Sequence, residues 1–386
     1  MKKIIPVFLA LIFSFYGCAR EVEVKEPETT LLTEAESNHE SEPFKGVWLT
    51  YSELSVKGKN YTEEEYRKHI KEIFNKLIEK EINNVFLHVR PFCDALYYSD
   101  IFESSEYASG KRGDKADFDI LRICTEEAER AELKIHAWIN PYRVLSAPDP
   151  TLITDGIIRN WLLKDDSAVC VTENGVYLNP ASEKAQKLVV EGIKEILENY
   201  SVDGIHFDDY FYPPDFESHD SKEYEEYIKE GGKLSLDEFR REKVSSLILL
   251  SYSTVKSYNE NLIFSVSPTG DIEKNINEIY ADVPLWCKGG YCDMIIPQLY
   301  FGFENESKPF KEELKKWVKL TENSDVKLVI GLALYKVGER DIFAGKGKDE
   351  WINNKDITER QIKLSNESGC FGVSFFSAGY LQKLNF

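Results

Sequence analysis

The sequence predicts an α/β protein built as a single (β/α)8 (TIM) barrel with long βα loops. Three observations carry that expectation. Eight short strand-like runs alternate with longer stretches of helical spacing from residue 44 onward. Six of the runs begin apolar and finish on an unusual polar group, always at the C-terminal end, where such barrels place their chemistry. No Gly-rich phosphate turn follows the first run, as a doubly wound nucleotide fold would carry.

Taken in order, Phe44 to Leu49 reads as the first strand. Glu63 to Lys80 follows as a helix with Ile70, Ile73, Phe74, Leu77 and Ile78 at helical spacing. Asn84 to Arg90 is the second strand, then comes a long connection over 91–118 and a helix from Ile120 to Glu132. Leu133 to Asn140 is the third, with a long connection over 143–180 and a helix from Ser182 to Tyr200. The fourth is Asp203-Gly204-Ile205-His206-Phe207 running into Asp208-Asp209-Tyr210-Phe211-Tyr212-Pro213. A third long connection, 210–235, leads to a helix from Leu236 to Tyr258. Leu262 to Ser267, Cys292 to Tyr300, Val326 to Ala333 and Phe371 to Phe376 complete the set, with helices from Lys311 to Leu320 and from Asp356 to Ser368.

The first 43 residues stand apart. Lys2 and Lys3 precede an uncharged apolar run, Ile4 to Tyr16, too short for a comfortable permanent span and suited to a secretory signal. The run ends at Gly17-Cys18, which resembles a bacterial lipoprotein signal. Residues 1–17 are therefore expected to be removed and Cys18 lipidated. Residues 18–43 are expected to form a disordered acidic tether, since they hold little to bury. The protein is then a monomer held at the cell envelope, extracytoplasmic and attached to the membrane by lipid. A net charge of −19 argues against nucleic acid and against a polybasic grip on anionic lipid. With aromatics at 13%, it suits a neutral or weakly charged polymer such as a polysaccharide. Cys93, Cys124, Cys170, Cys287, Cys292 and Cys370 lack paired metal-ligand spacing, so zinc is not expected; nothing in the chain requires a cofactor, and the acidic run Asp215 to Glu226 is left as an alternative calcium site.

The acid pair Asp208-Asp209 is the focus of the chemistry. Glycoside hydrolysis generally uses two carboxyl groups, and adjacent residues on extended backbone point in different directions. One of the pair is expected to face substrate while the other orients a neighbour. A second acid is then sought in Asp94, Asp271, Glu304 or Glu306. Arg90, Asp94, Asn140, Tyr142, Arg143, Tyr210, Gln298 and Tyr300 lie at or just past strand ends and are the expected substrate-binding residues. His136 and His206 lie within strands and are expected to pack inside the barrel.

Several runs together resemble the glycosyl-hydrolase-like family ten. They are Gly46-Val47-Trp48-Leu49-Thr50, His88-Val89-Arg90-Pro91 with Asp94-Ala95 and Tyr97, and His136-Ala137-Trp138-Ile139-Asn140-Pro141-Tyr142-Arg143. Leu178-Asn179-Pro180, the Asp203 to Pro213 run, and Asp293-Met294-Ile295-Ile296-Pro297-Gln298-Leu299-Tyr300 complete them. The resemblance implies a TIM barrel with glycosidase activity. It includes envelope lipoproteins that digest peptide-free (denuded) peptidoglycan strands, whose muramic carboxylate suits an arginine fork. After the fifth strand similar proteins often continue Ser-x-x-Pro-Phe-Gly with a Trp-Arg-Asn segment. Here the run is Ser265-Val266-Ser267-Pro268-Thr269-Gly270-Asp271, with only Asn275 or Asn277 to stand for that Asn, so substrate preference is open there. Two other outcomes stay open: a non-catalytic glycan-binding lipoprotein, and a hydrolase of another extracellular amino-sugar polysaccharide. The chain ends soon after the eighth strand, so no appended binding domain is expected.

Overall fold

The computed structural model describes residues 43–384 apart from 214, 215 and 217. The leader, Cys18 and all of the expected tether except Pro43 lie outside the described residues. The barrel strands are β1 (Phe44–Leu49), β2 (Asn84–Arg90), β3 (Lys134–Ile139), β7 (Gly204–Phe207), β8 (Ile263–Val266), β9 (Met294–Ile295), β10 (Lys327–Ala333) and β11 (Gly372–Phe376). β4 (Arg143–Leu145), β5 (Val169–Thr172) and β6 (Gly175–Leu178) lie outside it. The eight close in the order β1-β11-β10-β9-β8-β7-β3-β2, with every neighbouring pair parallel. The expected fold is therefore present.

Strand alternation divides the apolar residues into two layers. Phe44, Trp48, Phe86, Trp138, Met294, Ile296 and Val329 point inward and fill the lumen as one cluster. Val47, Leu49, Val85, Leu87, Ile205, Phe207 and their equivalents point outward against the helices. The helix Glu63–Glu79 shows why its sequence takes that form. Thr62 and Glu65 close a capping box, three glutamates occupy the first turn, and Tyr66, Ile70, Phe74 and Leu77 make its buried face. Ser235 and Glu238 open the helix Leu236–Tyr258 in the same way.

The sixth barrel strand is shorter than its sequence suggests. Only Met294–Ile295 pair as a ladder, because Pro297 lacks the N–H a ladder needs. Gln298 continues the sheet through single bridges to Thr269 and Gly331. The long connection after β3 holds more structure than was expected of it. It forms an antiparallel sheet in the order β4-β6-β5 and the helix Gly156–Leu163.

The other two long connections are pinned by buried charge. In the first, Arg112 bonds Glu103 at 2.8 Å and reaches Asp94 at 4.0 Å. After β7, Asp220 is fully buried and accepts from the Tyr212 hydroxyl and from two nitrogens of Arg240, at 2.7 and 2.9 Å.

Candidate active site

The acid pair gets its geometry from β7. Alternation turns His206 into the lumen and Phe207 outward, so the next residue, Asp208, turns inward at the barrel mouth. Gly204 begins the strand because a Cβ there would meet the Ile263 carbonyl oxygen at 2.2 Å and His136 at 2.7 Å. Asp208 is buried, and both its oxygens are held. Trp138 Nε1 donates to Oδ2 at 3.1 Å, and the Tyr210 backbone N–H donates to Oδ1 at 3.2 Å. Burial, then the Asp209 carboxylate, push the Asp208 carboxyl well above the usual range. Asp209 is half-buried just past the strand end. Burial also raises its carboxyl, while the polar Gln298 side chain, itself donating to the Ser267 carbonyl at 3.2 Å, and the charges of Lys274 and Arg143 pull it back. Two close, desolvated carboxyls hold protons more tightly than free aspartates do, and they titrate as a unit.

Below the pair the lumen carries a relay of neutral groups. Trp48 Nε1 donates to His206 Nε2 at 3.0 Å, which makes His206 Nδ1 the protonated nitrogen facing Ser265 Oγ at 2.8 Å. Burial holds His206 far below its usual pKa, so it stays neutral. His136 faces Asn84 Oδ1 at 2.9 Å and is pushed down to about 4 by burial. Both histidines are support for the site, placed where the sequence suggested.

The structure brings Arg143, Tyr210, Gln298 and Tyr300 to the acid pair. The Arg143 guanidinium lies over Phe92 at 4.7 Å and over Tyr210 at 4.6 Å. Tyr300 feels both aspartates, which add to burial and to Tyr335 in raising its hydroxyl. Asp209 and Tyr210 line a cleft of about 420 Å³ with Tyr177, Thr269, Lys274 and Glu278. Asn140 sits at the end of β3, where its Oδ1 meets His88 Nε2 at 3.0 Å. Its buried Nδ2 has no protein partner among the described residues, and neither does Ser267 Oγ at the end of β8.

Three expected residues are placed elsewhere. A bulge between His88 and Arg90 shifts the register against β3, so that Arg90 pairs with Ile139 and leaves the lumen face. Arg90 is buried in the outer layer over Phe102 at 4.4 Å, against Gly192 of the helix Glu183–Asn199. Asp94 is buried with Arg112 and accepts from the Phe92 backbone N–H at 3.1 Å. Tyr142 is packed in the outer core, its hydroxyl without a protein partner among the described residues.

The distal carboxyls are mostly engaged. Asp94 has Arg112, Glu306 has Lys346 at 3.1 Å, and Asp271 pairs with Lys308 while capping the helix Ile272–Asn277. Glu304 is exposed. Of the loop aromatics, Tyr97, Phe211, Tyr212 and Phe216 are buried as packing, and Tyr210 is 45% exposed at the mouth. Two contributors escaped the sequence reading, Trp138 and Lys274. The first had a visible signal: an indole N–H at the last inward position of β3 needs a polar partner at the mouth.

The sequence profile of the glycosyl hydrolase-like 10 family matches residues 43–351. The chain belongs to that family. Glycosyl hydrolase DigH of Escherichia coli K12 is 29% identical over 386 residues, covering 90% of this chain and 86% of DigH. Glycosyl hydrolase YngK of Bacillus subtilis is 28% identical over 345 residues, covering 84% of this chain and 65% of YngK. The PgaB (BpsB) glycoside hydrolase domain from Bordetella bronchiseptica superposes with a TM-score of 0.55 at 10% identity, over 89% of this chain and 96% of that domain. Alpha-L-fucosidase isoenzyme 2 from Paenibacillus thiaminolyticus gives 0.57 at 13%, over 87% and 46%. These two likenesses concern the fold. As a member of the glycosyl hydrolase-like 10 family, the chain is a glycoside hydrolase, and its carboxyl pair stands at the barrel's C-terminal face.

Proposed function

We propose that this family member cleaves denuded peptidoglycan strands, using the Asp208-Asp209 pair, while tethered to the envelope by lipid on Cys18. The observation that carries the catalytic part is the pair itself: two desolvated carboxyls at the mouth of a closed barrel, one fixed by Trp138 and Tyr210, the other on a cleft wall. The pair retains a proton where single aspartates have lost theirs. Asp209, on the cleft, gives that proton to the glycosidic oxygen as the C1–O bond breaks. Asp208 is the fixed partner that keeps the pair's proton affinity high.

Asp94, Asp271 and Glu306 face cations and Glu304 is exposed, so the group that takes C1 is assigned to the substrate's own 2-acetamido oxygen, with Glu304 as the remaining carboxylate alternative. Attack by the acetamido oxygen forms an oxazolinium ring, which water opens while Asp209 takes back a proton. The anomeric configuration is then retained. The peptidoglycan part rests on the motif resemblance and on the leader ending in Gly17-Cys18.

The test is incubation of the purified protein with peptide-free strands, with Asp208→Asn and Asp209→Asn as controls and products read by mass spectrometry and NMR. Cleavage with retention that either variant abolishes supports the proposal. Inverted products would overturn the acetamido step, and tight binding without products would favour a glycan-binding role. Release of a Cys18→Ser protein from the membrane fraction tests the anchor.

A further inference from the structure

The sequence offered two arginines for a sugar carboxylate, and the structure separates them. Arg90 faces the outer layer. Arg143 is at the mouth, half-buried and laid over Phe92 and Tyr210. Its charge reaches both Asp208 and Asp209. Yet among the described residues its guanidinium makes no ion pair and no hydrogen bond.

What sets Arg143 apart is that it stays unpaired beside two carboxyls, in a chain with 67 acidic residues to 48 basic ones. Arg67, Arg112 and Arg240 all engage carboxylates. An ion pair between Arg143 and the acid pair would favour the ionised form and strip the proton that catalysis needs. Two aromatic rings instead hold the guanidinium beside the acids and leave its N–H donors unspent. An aromatic-held guanidinium is a preorganised two-pronged donor for a carboxylate. Lys274 adds a second positive charge near Asp209, on the cleft wall, where Glu278 is the other acid among the described residues.

We propose that Arg143 is a specificity residue that binds a carboxylate carried by a sugar at the cleaved linkage, so that acidic amino-sugar strands are selected over neutral ones. This rests on the hydrolase reading for the location of the cleaved bond. It adds that the substrate's charge, and not only its sugar backbone, is read at the mouth.

The experiment compares one glycan in two forms, with free carboxylates and with the same carboxylates converted to methyl esters. Wild type, Arg143→Ala and Arg143→Lys are measured for kcat/KM, and each substitution is also placed in the Asp208→Asn background for equilibrium binding. Wild type is expected to prefer the acid form by about 10- to 100-fold, the scale of a charge-assisted bidentate contact. Arg143→Ala should bring the acid-to-ester ratio near one, and Arg143→Lys should restore part of it, since a point charge replaces a fork. An equal fall on both forms, with the ratio intact, would show a structural role and overturn the proposal; so would a wild-type ratio near one in both assays. If nothing is cleaved but the binding ratio depends on Arg143, the specificity assignment stands and the hydrolase reading falls.

Discussion

Asp208 ties the sequence to a measurable pH behaviour. Its folded pKa lies above the unfolded value, so the folded state binds the proton more tightly than the unfolded chain. Stability from this group is therefore complete below the ordinary aspartate range and is lost as pH rises through the folded value. Asp208→Asn should consequently gain thermal stability relative to wild type as pH increases, while cleavage falls by about 10²–10⁴. Differential scanning calorimetry across pH 4–8, paired with initial rates, checks both signs, and a variant that loses stability at neutral pH would contradict the account. Trp138→Phe removes an N–H that favours the ionised form. The alkaline limb of its kcat/KM profile should move to higher pH. Adjacent acids are visible in any sequence, but their desolvation is not, because it depends on β3 bringing the Trp138 indole across to Asp208.

At the level of elements, the site is held by what packs behind it. The helix Glu183–Asn199 approaches β2 closely at Gly192, where a Cβ would lie 1.9 Å from Arg90 Nη1 and 2.5 Å from Phe102. Gly192→Ala should cost about 1–3 kcal/mol through overpacking, read as a lower urea midpoint. After β7, the Asp220–Arg240 pair ties the loop behind the acids to the helix Leu236–Tyr258. Arg240→Met leaves a carboxylate buried without its cation and should destabilise by about 3–5 kcal/mol. Limited proteolysis should then open the turn at residues 218–220 first. Neither tie is legible in sequence, since the partners lie 20 and more residues apart with no pattern linking them. The barrel strands were legible because eight short apolar runs recur between helical stretches and six of them end on a polar group. β9 was overread because an apolar run around Pro297 looks like strand until its missing N–H is counted.

For the whole molecule, net charge sets the long-range field. A chain at −19 repels a polymer bearing carboxylates, and salt screens that repulsion over about 10 Å at 0.1 M. Raising salt from about 20 to 200 mM should lower KM for acidic strands and leave the ester form nearly unchanged. A rise in KM for the acidic form would mean that the attraction of Arg143 and Lys274 outweighs the global field.

The sequence by itself determined the fold class, the barrel strands and the acid pair, because these depend on alternation along the chain and on residues adjacent in it. It also carried the family motifs. Tertiary structure alone decided which of the flanking residues share the mouth. A single bulge in β2 sent Arg90 outward while Arg143, beyond the end of β3, stayed beside the acids. Ion pairs within one loop engaged Asp94, and pairs between separate loops engaged Asp271 and Glu306. A side chain's direction at a strand end, and the partner it finds there, depend on register and packing between segments far apart in sequence, which no local pattern encodes.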